Sequence, residues 1–192
     1  MDKNAVISFF NSCAADWDKN TVSNSDVISQ ILDIAEIGEG KSVLDVACGT
    51  GVLFDSYISR KVAHLTAIDI SDEMVKKAKE KYPNVEAVVG DAESYNFNTK
   101  FDSIVIYNAF PHFIDSDSLF KNLSKHLSVG ARLTVAHGMS REAVLACHAN
   151  KAKPISKELI PAEKLAGQMM RYVNVDTVIS DSSMYVVSGT KY

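Results

Sequence analysis

The sequence is poor in the features that mark disulfide-stabilised, secreted and membrane proteins. Cysteine occurs three times, as Cys13, Cys48 and Cys147, and this odd number at wide spacing excludes a disulfide framework and CxxC metal ligands. No stretch approaches the roughly 20 apolar residues of a membrane span. The first residues also lack the basic segment and apolar run of a signal peptide. We therefore expect a cytoplasmic protein with reduced thiols, no membrane partner and no bound metal.

An excess of basic residues is also missing. Lys and Arg number 20 against 24 Asp and Glu, which gives a net charge of −4. Proteins that bind nucleic acids or anionic membranes need a concentrated basic face. The charge therefore argues against a nucleic-acid partner, and a small neutral or cationic partner is easier to accommodate. The sequence contains nothing that indicates an oligomeric state.

The composition is that of one globular domain. The chain has 192 residues, of which 46% are hydrophobic and 23% charged, enough for a sizeable core. Internal repeats, low-complexity segments and Gly/Ser-rich linkers are lacking. We therefore predict a single domain over residues 1–192.

Short apolar runs alternate with amphipathic patterns through the middle of the chain. Helical patterns come first, at 6–17 and from Val27 to Ala35, with Ser25 as the expected N-cap and Gly38 beyond the end. The apolar runs SVLDVA, HLTAIDI, EAVVG, FDSIVIYNA and ARLTVAH then alternate with helical patterns at 51–60, 72–81 and 116–127. This alternation is typical of a parallel sheet with helices on both faces.

The last third of the chain departs from this alternation. Helical patterns from Ser140 and over 161–171 precede two β-rich runs, VNVDTVIS and SMYVVSGT, with polar residues between them. Adjacent runs of this kind predict an antiparallel hairpin. The expected fold is a doubly wound α/β structure, with a mostly parallel seven-stranded sheet, this C-terminal hairpin and an N-terminal helical cap.

The segment VLDVACGTG, residues 43–51, carries the main functional signal. A buried strand ends in Asp45 and passes into a turn whose Gly49 and Gly51 permit backbone conformations and close approaches that a Cβ would block. The segment resembles the first motif of class I S-adenosylmethionine-dependent methyltransferases, whose loop wraps the methionine part of the cofactor. The resemblance implies that Asp45 orients the amino group of the cofactor, directly or through water. The family usually has glycine where Ala47 stands, a departure that we expect to affect local packing alone.

Three further strand ends extend the resemblance over nearly the whole chain. Asp69 ends the second run, where an acid of the family accepts hydrogen bonds from the ribose hydroxyls. Asp91 follows the third run, where the family binds the adenine amino group. Asn108 follows the fourth, where backbone and side-chain groups face the cofactor. The resemblance implies S-adenosylmethionine as the cofactor, with an adenine pocket that also includes Ile70, Met74, Gly90 and Ala92.

Histidines are the candidate catalytic residues. The reaction needs mainly alignment and exclusion of water, and a general base assists a poorly nucleophilic acceptor. His112 follows the fourth strand and His137 the fifth, so we expect both to overhang the site of methyl transfer. Ligation of a metal by His112, His137 and His148 is a weaker alternative, because their spacing matches no local metal motif.

Two other segments supply candidates for the lid and the substrate site. FFNSCAADWD resembles the amino-terminal cap helix of many small-molecule methyltransferases, which makes Phe9, Phe10 and Trp17 lid candidates. The stretches HGMSREAVLACH and LIPAEKLAG are similar to a subgroup of small prokaryotic methyltransferases, in which Arg141 and His148 are candidate substrate contacts. The implied organisation is a helical cap at 1–40, a cofactor-binding core at 41–137, substrate-side helices at 138–170 and a closing hairpin at 171–192.

The function implied is transfer of a methyl group to a small-molecule acceptor, and two alternatives remain. A non-catalytic relative would bind S-adenosylmethionine without turnover. A nicotinamide-dependent reductase would need the pyrophosphate-binding GxGxxG, which is absent. A nucleic-acid amino-methylating enzyme is expected to show Asn/Asp-Pro-Pro-aromatic after the fourth strand, which NAFP at 108–111 does not match. Neither the acceptor molecule nor the acceptor atom follows from the sequence.

Overall fold

The computed structural model describes residues 2–20, 23–151 and 155–192, with the side chains of 20 and 148–151 outside that description. It contains a seven-stranded sheet in the order β3-β2-β1-β4-β5-β7-β6. The strands are β1 (Ser42–Val46), β2 (His64–Asp69), β3 (Glu86–Val89), β4 (Phe101–Tyr107), β5 (Leu127–His137), β6 (Asn174–Ser180) and β7 (Tyr185–Thr190). The first five strands pair in parallel, and β7 pairs antiparallel with both β5 and β6. The predicted fold class is confirmed, including the C-terminal hairpin.

Helices cover both faces of the sheet. They are α1 (Lys3–Cys13), α2 (Trp17–Asn20), α3 (Ser25–Ile34), α4 (Phe54–Ser59), α5 (Asp72–Lys81), α6 (Ser116–Lys125), α7 (Arg141–Lys151) and α8 (Ala162–Met169). One large apolar cluster joins α6 and α8 to the sheet, and a second joins α3, α4 and α5 to it. Strands buried on both faces explain why their sequences are almost continuously apolar. We call residues 2–20 the lid, which comprises α1, a 3-10 turn and α2.

Several helix ends differ from the sequence-based expectation for identifiable local reasons. Asn24, not Ser25, caps α3, because its Oδ1 accepts from the amides of Asp26 and Val27. Helix α1 begins at Lys3, before the predicted start at Val6, because Asp2 caps it, and a 3-10 turn at Ala14–Asp16 interrupts the predicted helix. Helix α4 starts three residues late, because Gly51 has a φ of +88° that a helix cannot continue through.

Strand β7 lies between β5 and β6, so the hairpin is part of the sheet and not an appendage. The β5–β7 ladder extends from Arg132 opposite Thr190 to His137 opposite Tyr185. Strand β5 begins at Leu127, before the predicted apolar run, because Leu127 pairs with Phe101 of β4 and the Gly130 amide donates to the Lys191 carbonyl. The prediction missed this extension because backbone pairing does not depend on apolar side chains.

Candidate functional site

A cavity of about 1080 Å³, including its open mouth, lies where β1, β2, β3 and β4 end. Loops that follow these strands form its floor and walls, and lid residues cover it. Ligands of open α/β sheets bind at this edge. Twelve of the predicted site residues line the cavity: Phe10, Trp17, Ala47, Gly49, Asp69, Ile70, Met74, Gly90, Asp91, Ala92, Asn108 and His112.

The loop after β1 adopts an unusual backbone conformation. Ala47 has a φ of +57°, and Gly49 and Gly51 also have positive φ values of 55° and 88°. A left-handed conformation costs an L-residue roughly 1–2 kcal/mol, whereas glycine adopts it freely. The expectation that alanine at position 47 changes only local packing is therefore incomplete, because its backbone is also strained.

Asp45 lies beneath this loop and is only 2% exposed. It is not among the described residues that line the cavity, and its Oδ2 has no hydrogen-bond partner in the described part of the chain. Burial and the nearby Asp69 carboxylate raise the pKa of Asp45 well above its ordinary value. A buried carboxyl oxygen without a donor is costly, so the loop above it is suited to a ligand that brings a donor or a positive charge.

Asp69 is fixed by the backbone on both sides. Its Oδ2 accepts from the Gly49 amide at 2.8 Å, and its Oδ1 accepts from the Ser71 amide at 2.9 Å. Burial raises the pKa of Asp69, while these backbone hydrogen bonds act in the opposite direction. Each carboxylate oxygen has a further lone pair, so Asp69 can still accept from a ligand in the cavity.

Asp91 is held between its own turn and the lid. Its Oδ1 accepts from the Glu93 amide at 3.0 Å, and its Oδ2 lies 2.5 Å from Lys3 Nζ. Lys3 also lies 2.6 Å from Glu93 Oε2. Both Lys3 and Glu93 line the cavity, yet sequence reasoning missed them. Charged residues at a helix start and in a turn are ordinary surface features, and only the fold brings these two together.

Asn108 ends β4 in a left-handed conformation, with a φ of +54°. Its Oδ1 accepts from the Gly138 amide at 3.0 Å, which ties this turn to the end of β5. Asparagine tolerates a positive φ better than most residues. The side chain thereby stabilises the turn that leads into the cavity wall formed by Phe113 and Ile114.

His112 lies in the cavity wall, at the end of a 3-10 helix over Phe110–His112. Its Nδ1 is 3.0 Å from the Ile155 carbonyl oxygen and 3.1 Å from Ser156 Oγ. A carbonyl oxygen can only accept, so the proton belongs on Nδ1 and the basic lone pair on Nε2. Phe10 of the lid packs edge-on against the ring, with centroids 5.0 Å apart.

The other predicted acceptor-side residues are placed differently. His137 is 2% exposed and packs edge-on against Tyr185, and it does not line the cavity as described. Pairing of β7 with β5 extends to His137 and places Tyr185 opposite it, with the ring centroids 5.9 Å apart. Arg141 donates to the Leu159 carbonyl at 2.8 Å and pairs with Glu158 at 3.0 Å, so it joins α7 to the chain before α8. The side chain of His148 lies outside the described residues.

Besides Lys3, Asp18 and Asn11 of the lid make polar contacts with the core. Thr50 of the glycine loop donates to Asp18 Oδ1 at 2.5 Å, and Asp18 also pairs with Lys81. Asn11 donates to Asp72 and accepts from Ser71, both at the start of α5. These contacts and that of Lys3 fall on the segments that follow β1, β2 and β3. The predicted lid therefore contacts each of the three segments that follow β1, β2 and β3.

The charge in the cavity is predominantly acidic. Among its described lining residues, three are acids, Asp69, Asp91 and Glu93, and one is a lysine, Lys3. Within the same described part of the chain, no group of three or more His, Cys, Asp or Glu residues is arranged to hold a metal ion. None of the helices described there has the length and apolar character that a membrane crossing needs.

Comparison with known proteins identifies the family. Residues 43–130 match the family model described as a methyltransferase domain. These residues belong to the class I S-adenosylmethionine-dependent methyltransferases. The predictions of the family and of its cofactor, S-adenosylmethionine, made from the strand-end residues, are thereby confirmed.

Curated relatives of the chain include methyltransferases named for different acceptors. The malonyl-[acyl-carrier protein] O-methyltransferase 1 of Ilyobacter polytropus is 32% identical over 139 residues, which are 69% of this chain and 52% of the relative. The chain spans about half the length of the curated relatives it matches.

Solved structures resemble the whole fold at low sequence identity. A structure from Haloferax volcanii, of a complex between the Trm112 methyltransferase activator and a methyltransferase, superposes with a TM-score of 0.79 at 16% identity and covers 95% of this chain and 97% of that one. The N-methyltransferase NodS of Bradyrhizobium japonicum, in complex with S-adenosyl-l-homocysteine, has a TM-score of 0.67 at 14% identity, with 86% of each chain covered. At these identities the likeness establishes the fold alone.

Proposed function

We propose that this chain transfers a methyl group from S-adenosylmethionine to a small neutral or cationic acceptor. The observation that carries the proposal is the convergence of side chains from four strand ends on one lid-covered cavity. Asp69, Asp91 and Asn108 lie in its wall, and the glycine loop of Ala47 and Gly49 lies in its floor. Each stands where the family holds a different part of its cofactor.

The residues present fit the cofactor. Its amino group is cationic and donates hydrogen bonds, which suits the buried Asp45 Oδ2 below the loop. Because Asp45 does not line the cavity, a bridging water would connect the two groups. Asp69 is assigned to the ribose hydroxyls and Asp91 to the adenine amino group. Ile70, Met74 and Ala92 supply an apolar wall for the adenine ring.

Substrate class is inferred from the charge and the shape of the acceptor side. Its walls include Phe10, Trp17 and Phe113, which favour flat or apolar groups. The only cationic side chain among the described lining residues is Lys3, which two carboxylates already hold. A carboxylate or phosphate acceptor would therefore meet net negative charge, whereas a phenol, a thiol or an amine would not.

His112 is assigned as the base that receives the proton from the acceptor. The bound cofactor would supply an activated methyl group on a sulfonium sulfur. His112 Nε2 accepts the proton that an O–H, S–H or N–H acceptor loses, while the Ile155 carbonyl holds Nδ1–H and stabilises the imidazolium that forms. The lid excludes water, and the walls align the acceptor, which is most of what this displacement requires.

The proposal is tested by binding first and by transfer second. Calorimetry with S-adenosylmethionine and S-adenosylhomocysteine should show binding that weakens by about 1.5–3 kcal/mol in Asp69→Ala, because charge-assisted hydrogen bonds are lost. The matched control is Glu39→Gln, which changes an exposed acid outside the cavity lining. Absence of binding by the unaltered protein would refute the proposal.

A radiolabelled methyl group then reports transfer to a panel of phenols, thiols, amines, carboxylates and phosphates. His112→Ala should bind cofactor normally and transfer methyl groups roughly a hundredfold more slowly. Transfer to the carboxylates or phosphates alone would contradict the acceptor class. Cofactor binding without transfer to any member of the panel would favour the non-catalytic alternative.

A further inference from the structure

Lys3 belongs to a junction that also includes Asp91 and Glu93. Its Nζ lies 2.5 Å from Asp91 Oδ2 and 2.6 Å from Glu93 Oε2, so one lid cation is shared by two carboxylates of the core. The Lys3 side chain is 40% exposed, whereas that of Glu93 is 6% exposed. The buried carboxylate therefore depends on this lysine for its counter-charge.

The second oxygen of Glu93 holds a different part of the site. Its Oε1 accepts from the amides of Ile114 at 2.7 Å and Asp115 at 2.9 Å. These residues lie two and three positions after His112, which ends the 3-10 helix. Asp115 in turn caps α6, with its side chain accepting from Asp117 and Ser118. Glu93 thus contacts the lid with one oxygen and the His112 loop with the other.

The charge balance makes this junction responsive to a ligand. Two carboxylates compete for one ammonium, and a hydrogen-bond donor that binds Asp91 relieves part of that competition. Lys3 is then shared less and pairs more closely with Glu93. The closer ammonium neutralises the Glu93 carboxylate more fully and restrains it. Glu93 Oε1 then stays within hydrogen-bond distance of the amides of Ile114 and Asp115.

We propose that Lys3 and Glu93 are positioning residues that couple the closed lid to the loop carrying His112, so that a donor bound at Asp91 tightens the acceptor side. The inference rests on the proposed function for the roles of Asp91 and His112. It adds that the cofactor end and the acceptor end of the cavity communicate through a single buried carboxylate.

Hydrogen exchange at the amides of Ile114 and Asp115 tests the coupling without a known acceptor. Lys3→Gln leaves Glu93 and both amides in place, yet exchange at these two positions should become about fivefold faster than in the unaltered protein. Lys3→Arg should restore slow exchange. Lys19→Gln is the matched control, because it removes another lid lysine whose exposed pair with Asp16 lies within the lid. Added S-adenosylhomocysteine should slow exchange at both amides, and less so in Lys3→Gln.

Two results would overturn the inference. In the first, Lys3→Gln speeds exchange in α1 but leaves Ile114 and Asp115 unchanged, so Lys3 only anchors the lid. In the second, Lys3→Gln and Glu93→Gln have additive effects on thermal unfolding, so the residues do not act through each other.

Sodium chloride supplies a measurement without mutation, since it should speed exchange at both amides of the unaltered protein. Failure of S-adenosylhomocysteine to bind would refute the proposed function, whereas the comparison of ligand-free proteins would still decide the coupling.

Discussion

At the scale of single residues, two positions under the glycine loop are held at a cost to stability. Ala47 has a left-handed backbone, and Asp45 is a buried acid with an unpartnered oxygen. Strain and unmet polar groups of this kind cluster at sites that bind ligands, because a bound ligand compensates for them. Both residues therefore lend themselves to tests in which stability and binding respond in opposite directions.

Replacing Ala47 with glycine should stabilise the ligand-free protein. The change removes roughly 1–2 kcal/mol of left-handed strain, and the greater freedom of glycine in the unfolded chain offsets about 0.4–1 kcal/mol of that gain. The expected net gain is about 0.5–1 kcal/mol, measured as the free energy of unfolding in urea. A loss of stability would show that the Ala47 methyl contributes more through its packing than its backbone costs.

Replacing Asp45 with asparagine should stabilise the ligand-free protein more as the pH rises. The folded-state pKa of Asp45 is raised by burial and by Asp69, so its favourable contribution is complete below the unfolded pKa of about 4 and is lost as the pH rises through the folded value. The variant lacks this loss. Its advantage in unfolding free energy should grow with pH to on the order of 1 kcal/mol or more.

Urea unfolding at a series of pH values measures the effect of Asp45→Asn, and calorimetry should show weaker cofactor binding by the same variant. Parallel stability profiles for the two proteins would mean that Asp45 titrates normally. Asp69 stays in place in both proteins, and because its carboxylate raises the pKa of Asp45, the difference between the two profiles includes the loss of this repulsion.

At the scale of elements, the lid is attached to the core partly through polar contacts. Asp18 joins α2 both to Thr50 of the glycine loop and to Lys81 at the end of α5. These groups are partly exposed, so each contact contributes modestly to global stability. Because the lid covers the cavity, the same contacts have a larger effect on how fast a ligand leaves.

Asp18→Ala should leave the sheet folded while the lid loosens. We expect the free energy of unfolding to fall by at most about 1 kcal/mol and cofactor release to become several-fold faster, because local opening needs only the lid contacts to break. Stopped-flow displacement and limited proteolysis measure the two effects. Lys76→Gln, which breaks an exposed pair with Glu73 on α5, is the control. Equal release rates in both variants would contradict a gating role for Asp18.

Elements also show how far sequence reasoning can reach. The central strands were predictable because burial on both faces leaves apolar runs, and the strand ends with Asp69, Asp91 and Asn108 followed from them. The hairpin was predictable from two adjacent β-rich runs, although β6 is nowhere fully buried. Helix ends were less predictable, because the Asn24 cap and the φ of Gly51 are local geometry. Lys3 was missed because its partner Asp91 is 88 residues away and no periodic pattern encodes such a pairing.

At the scale of the whole molecule, the cofactor site and the hairpin share one sheet. Strand β7 pairs with β5, and β5 pairs with β4. The segment after β4, which holds Asn108 and His112, is therefore linked to the C-terminal strands through backbone pairing in the same sheet. Binding at the opposite end of the sheet order, near β2 and β3, should therefore stabilise the entire fold and not one half of it.

S-adenosylhomocysteine should raise the temperature of a single unfolding transition. A ligand at a hundred times its dissociation constant stabilises the native state by about 2.7 kcal/mol. For a chain of this size, this corresponds to a shift in Tm of roughly 5–11 °C. Scanning calorimetry measures the shift, and Asp69→Ala should reduce it at the same ligand concentration. A transition that splits in two on binding would mean that the hairpin unfolds independently.

The lid also contains a natural optical probe. Trp17 is the one tryptophan of the sequence, it is half-buried at the cavity, and its ring lies edge-on to Phe10 with centroids 5.7 Å apart. Its Nε1 lies 3.8 Å from the point where a Cβ on Gly49 would stand. Indole fluorescence therefore comes from a single position between the lid and the glycine loop. Movement of the lid shifts that emission, so cofactor exchange is observable in real time in the unlabelled protein.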